Sequence, residues 1–247
     1  MGAGFLNDAL FLTVVFLANI IQCITGFAGT VLAMPFSVML IGFTPAKAIL
    51  NVLGAAASVG VVLGSYRFVN KKELVTILGF MLPGIAAGFV FGDKLTANPT
   101  LVYKLLGGIV IFFAVFNFIK LMRGKELRRP GKLVSAVTLL AAGTVHGFFV
   151  CGGPLLVTYA AGKMPDTKEF RATLSCVWIV LNSLLAFSDI RIGAFDRHTL
   201  ILLGVSILIL FGAVFLGSVI EKRLIKKGFL ILSYVLMAVS GVSLLVK

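Results

Sequence analysis

Charge is what this sequence has least of. Asp, Glu, Lys and Arg make up 13% of its 247 residues, and no stretch is long or polar enough for a soluble domain. Three cysteines, Cys23, Cys151 and Cys176, fall in apolar segments without a CxxC spacing. That argues against a disulfide framework or a structural zinc site. No metal-ligand cluster, paired acid motif or nucleophile elbow is present, so no cofactor is expected and enzymatic chemistry is disfavoured. The opening MGAGFLNDAL lacks the basic region of a cleavable signal peptide, so the first apolar run is expected to stay in the mature protein.

What is present is apolar: 60% of the residues are hydrophobic. A soluble fold cannot hide so much, and runs of about 20 apolar residues suit a bilayer. An all-α polytopic protein of the cell membrane is expected, with lipid as its main surroundings. The net charge of +13 does not imply nucleic acid, because the Lys and Arg cluster between apolar runs, as loop charges on the cytoplasmic side do.

Eight apolar blocks can be read, at 5–42, 46–66, 74–92, 101–119, 133–162, 172–188, 199–219 and 228–246. The first and fifth are each interrupted, by TGFAGT at 25–30 and by CGGP at 151–154. Gly costs a helix interior roughly 1 kcal/mol and Pro about 3, so neither block continues as one smooth helix. Sliding the chain by 124 residues puts Gln22 on His146, Gly29 on Gly153, Lys47 on Arg171 and Arg67 on Arg191. Two homologous halves, 1–122 and 123–247, are expected within a single membrane domain.

The basic residues suggest how the halves are oriented. If all eight blocks cross, the 22 Lys and Arg divide 12 to 10 between the two sides. If the two interrupted blocks are hairpins that return to their starting side, the division is 16 to 6. The positive-inside rule favours the hairpins. Each half then holds a Gly-broken hairpin and three crossings, which inverts the second half and leaves both termini extracytoplasmic.

Irregular backbone survives at membrane depth only where protein or water covers it. The tips at Gly26–Gly29 and Cys151–Gly153 should therefore face a cavity, with new half-helices starting at Thr30 and Pro154. Pro suits a first helical turn, and the free N–H groups there attract small anions. Such interrupted segments at matching places in two halves point to the binding region of a secondary transporter.

The motifs TGFAGTVLAMP (25–35) and HGFFVCGGPLL (146–156), in two similar halves, resemble the TauE/SafE sulfite and organosulfonate exporter family. The resemblance covers nearly the whole chain. It implies a permease for small sulfur-containing anions, a substrate class carried by the resemblance alone. Thr30 stands where a second Gly is common in that family, and Cys151 where Gly is frequent.

The candidate substrate-binding residues are Gln22, Gly26, Gly29, Thr30, Lys47, Asn51, His146, Cys151, Gly152, Gly153, Pro154 and Arg171. Each also has a plainer reading. His146 is either a neutral interhelical hydrogen bonder or a proton-coupling group. Lys47 and Arg171 are interfacial snorkelling residues or guards of opposite mouths. Asn51 and Asn182 serve as polar glue between helices or touch substrate. Cys23 and Cys151 are apolar fillers or reactive thiols. Gly54, Gly60 and Gly64 are expected at close helix approaches. Competing functions are an anion channel and a thiol-dependent membrane enzyme using Cys151 and His146. Proton, cation and uncoupled movement all stay open, as does the oligomeric state.

Overall fold

The computed structural model describes residues 2–25, 28–96, 98–123, 131–164 and 166–221, with further helical positions at 231, 234–235, 238–239, 241–242 and 245–246. The described elements are helical: α1 (Gly2–Thr25), α2 (Ala28–Ile41), α3 (Phe43–Ser65), α4 (Lys71–Thr96), α5 (Pro99–Arg123), α6 (Lys132–Phe149), α7 (Gly153–Lys163), α8 (Thr167–Arg191) and α9 (Arg197–Glu221). A short 3-10 turn, Tyr66–Phe68, follows α3. Among the described residues seven helices are long and apolar enough to cross a membrane. The exceptions are α2 and α7, of 14 and 11 residues. At about 1.5 Å per residue, both fall short of a hydrocarbon core about 30 Å thick.

Each interrupted block thus divides into a long helix and a short one. The new helices start slightly earlier than the sequence suggests, at Ala28 and Gly153 rather than Thr30 and Pro154. Pro154 sits in the first turn of α7, where its missing N–H costs nothing. Val150 closes α6 in the left-handed conformation, with φ 56°, and its N–H reaches His146 O at 2.8 Å. That conformation strains a β-branched residue, so the surrounding packing must hold the bend. Gly26, most of block eight and the basic residues of 124–130 and 222–227 lie outside the described residues.

Pairing between long helices sets the architecture. α4 and α6 run parallel in close contact: a Cβ at Gly84 would meet Leu140 O, and one at Gly88 would meet Thr144 O. Reciprocally, a Cβ at Gly143 would meet Met81 O and one at Gly147 would meet Ile85. Two small-xxx-small stripes therefore lie face to face, the pattern that lets backbones approach in lipid. α1 and α9 are also parallel, with Asp8 near His198 and Cys23 near Gly217.

α3 and α8 are antiparallel. Lys47 and Asn51 at the start of α3 meet Asp189 near the end of α8. At the other end, the Asn70 N–H donates to Thr173 Oγ1 and the Asn70 amide to Glu169 Oε1, at 2.9 and 2.6 Å. Of the three glycines expected at close approaches only Gly54 makes one. Nothing lies within 4 Å of a Cβ at Gly60 or Gly64.

Candidate functional site

The two hairpin tips meet the α3–α8 pair near its middle. At the end of α1, the Gln22 side-chain oxygen accepts the Gly29 N–H at 2.8 Å. Gly29 packs so tightly that a Cβ would come within 2.5 Å of both Ala18 O and Gln22 Cβ. In the second half the residue with the matching contacts, to Ala142 O and His146 Cβ, is Gly152. The tips are therefore displaced by one residue from the gapless alignment, which pairs Gly29 with Gly153. The N–H of Gly29, expected to face an anion, is instead taken by Gln22.

Between the tips is a cavity of about 10 Å³, the room of a single water. Gln22 and Thr30 line it from the first hairpin, and His146 and Gly153 from the second. Gly54 of α3 and Trp178 and Asn182 of α8 complete the wall. His146 Nε2 lies 2.9 Å from Asn182 Oδ1, and its ring is 5.0 Å from that of Trp178. With the amide oxygen facing it, Nε2 carries the proton and donates, an assignment that follows from the network. His146 Nδ1 and Trp178 Nε1 are buried without a hydrogen-bond partner among the described residues.

A larger cavity lies on each side of this constriction. One, of about 280 Å³, is lined by Asn19, Gln22, Cys23, Ser58, Arg171 and Ser175 among others. The other, of about 220 Å³, is lined by Thr44, Lys47, Gly88, Phe148, Ser188 and Asp189 among others. The first lies toward the start of α8 and the second toward the start of α3, so the antiparallel pair carries them at opposite ends. Each holds one member of the pair Lys47 and Arg171, which the 124-residue offset matches.

Those two residues are held differently. Arg171 donates to Cys23 O at 3.1 Å, across to the end of α1. Lys47 Nζ lies 3.4 Å from Asp189 Oδ1, and the Asn51 amide donates to Asp189 Oδ2 at 2.6 Å. Asp189 is only 1% exposed, and the Lys47 side chain 13%, which is far from a freely snorkelling lysine. Asn51 and Asn182 each bond between helices, as polar glue does.

Asp189 is the residue that sequence reading missed, because it was assigned to the polar separator SDIRIGAFDRH. The signal was present: Asn182 and Asp189 stand seven apart, as Lys47 and Asn51 stand four apart. Both spacings put the pair on one helix face. Cys151 is fully buried in the apolar core and lines none of these three cavities.

Comparison with known proteins adds one finding. A family model described as "Sulfite exporter TauE/SafE" matches residues 11–244. No curated protein and no solved structure was found to match the chain.

Proposed function

The chain belongs to the TauE/SafE sulfite exporter family, and on that premise we propose that it is a permease for small sulfur-containing anions such as sulfite and organosulfonates. The observation that carries this reading is the row of three cavities along α3 and α8. A constriction built from both hairpin tips separates two wider cavities, and each of these holds one basic residue. An anion is drawn to Lys47 at one end and Arg171 at the other. Crossing the centre requires the tips to part, which is movement by alternating access. The Trp178 N–H and the Thr30 hydroxyl supply donors there once the space opens.

The helix pairing supports two inverted halves. Under the 124-residue offset α1 matches α6 and α4 matches α9, so the α4–α6 and α1–α9 contacts exchange with each other. The α3–α8 pair exchanges with itself. Its antiparallel course fits an odd number of crossings per half, and so favours hairpins over eight full crossings. The same reading puts Arg67 and Lys168 on the cytoplasmic side and the N-terminus outside.

A channel is disfavoured by the constriction, which admits no hydrated anion. The thiol-enzyme reading is disfavoured by the burial of Cys151 away from the cavities. The reading is tested with purified protein in sealed liposomes, using counterflow of sulfite, methanesulfonate, sulfate and acetate. Saturable counterflow of sulfite or methanesulfonate is expected. Counterflow of acetate alone would overturn the substrate class, and non-saturating voltage-driven current would overturn the carrier.

A further inference from the structure

Lys47 is the cation an anion would meet in its cavity, yet it already has a counterion. Its ammonium faces Asp189 Oδ1 at 3.4 Å, a loose distance for an ion pair. The other carboxylate oxygen accepts the Asn51 amide at 2.6 Å. Breaking a buried pair by removing one partner is costly, because a charge is left uncompensated. An anion that takes the ammonium leaves Asp189 in that position unless the carboxylate is neutralised.

Asn51 shows how neutralisation is accommodated. The residue is fully buried, and its Oδ1 has no hydrogen-bond partner among the described residues. A carboxylate needs a donor, which the amide nitrogen supplies. A carboxylic acid needs an acceptor, and a half-turn of the same amide brings Oδ1 to the acid O–H. Asn51 can therefore serve both protonation states of Asp189 from one position.

We propose that Lys47, Asp189 and Asn51 form a proton-linked anion site, in which a small anion takes the Lys47 ammonium as Asp189 takes up one proton. This deepens the permease reading and rests on it. The proton is taken up from the bulk solution through the cavity and adds to the carboxylate. Its N–H···O contact with Lys47 is replaced by one from Lys47 to an anion oxygen. The site is neutral before and after when the anion carries one charge. Release of the anion reverses each step. The hydroxyls of Thr44 and Ser188 line the same space and can donate to the anion.

Among the described residues, Lys47 and Asp189 are the charged side chains that line this cavity. Lys47 and Asn51 face Asp189 from α3, while α4 contributes Gly88 and Phe89 and α6 contributes Gly147 and Phe148. Arg191, on the same helix as Asp189, is exposed and lies over the Phe187 ring. Of the titratable groups of α6, Lys132 stands at its first position, remote from Gly147, and His146 lines the central cavity instead. The first half has Ser65 at the place of Asp189, so the proton-linked site belongs to one mouth only.

The test is calorimetric titration of the purified protein with methanesulfonate and with sulfate, each in two buffers of different ionisation enthalpy. Neither anion titrates near neutral pH, so any proton taken up is the protein's. About one proton per bound anion is expected, with affinity falling up to tenfold per pH unit where Asp189 is ionised. Asp189→Asn should bind without proton uptake and with a flat pH profile, and Lys47→Gln should not bind. Asp189→Ser, the residue of the first half, serves if the Asn variant fails to fold. Binding by the wild type without proton uptake, or unchanged uptake in either Asp189 variant, would overturn the proton-linked site alone. If the wild type binds neither anion and moves no sulfite in liposomes, the permease reading falls, and this site falls with it.

Discussion

Gly54 of α3 lies directly against the side-chain amide of Asn182: a Cβ added there would come within 2.5 Å of Asn182 Nδ2. Asn182 holds His146 through its other amide atom, so the smallest residue on α3 fixes a histidine on α6. Gly54→Ala should push the amide aside and break that bond. Intramembrane hydrogen bonds contribute on the order of 0.6 kcal/mol, so the fold should survive. Transport should not: a fall of about tenfold or more in counterflow is expected, at normal size-exclusion behaviour. Wild-type rates in Gly54→Ala would mean that the central wall tolerates rearrangement.

Gly153 lines the constriction from the second hairpin. Replacing it with Leu adds four carbons to a space that holds one water. Gly153→Leu should insert normally and abolish sulfite counterflow. Retained transport would move the path away from the tips.

His146 is fixed by Asn182 and lines the central cavity rather than the Lys47 cavity, which suits a structural role. His146→Gln, the residue found at Gln22 in the first half, keeps a donor for Asn182 but cannot titrate. Anion binding in that variant should keep the wild-type pH profile. His146→Leu, which leaves Asn182 Oδ1 without its donor, should lower both thermal stability and rate. Loss of the pH profile in His146→Gln alone would transfer the proton to the histidine.

The parallel α4–α6 contact has no room for side chains. A Cβ at Gly143 would collide with the Met81 carbonyl, and backbone cannot be moved as a flexible side chain can. Overpacking of this kind costs about 1–3 kcal/mol. Gly143→Ala should therefore lower the melting temperature in detergent by several degrees. Gly64→Ala, with nothing within 4 Å, should leave it unchanged.

Single cysteines at positions 67 and 168, in a chain whose native cysteines are replaced, should react with an impermeant reagent from the cytoplasmic side only. A cysteine at position 8 should react from outside. Labelling of 168 from the outer face would remove the inverted arrangement.

The spans and the breaks were legible because lipid imposes long apolar runs, and because Gly and Pro in such runs have few other uses. The pairing of Lys47 with Arg171 was legible from the offset. What surrounds each was not. An offset compares a residue with its copy, whereas Asp189 contacts Lys47, on the other side of that comparison. The slip between Gly29 and Gly152 was hidden for a related reason: adjacent glycines at 152 and 153 match Gly29 equally well by type, and only backbone contact separates them. The small-xxx-small stripes on α4 and α6 were present as letters, but 27 glycines offer too many candidate pairs for spacing alone to choose.

Because the tips are out of register by one residue, Thr30 with its hydroxyl stands across the constriction from Gly153 with none. Asp189 at one end has Ser65 as its copy at the other. A carrier made of two identical halves would have no preference for the side to which it opens, since each state would be the other turned over. In the proposed carrier the two openings would expose different chemistry and so differ in energy. Such a carrier would rest facing one way when unloaded, and its affinity measured from one side of the membrane need not equal that from the other. Direction would then be written into the proposed duplicated fold by the few places where the copies disagree.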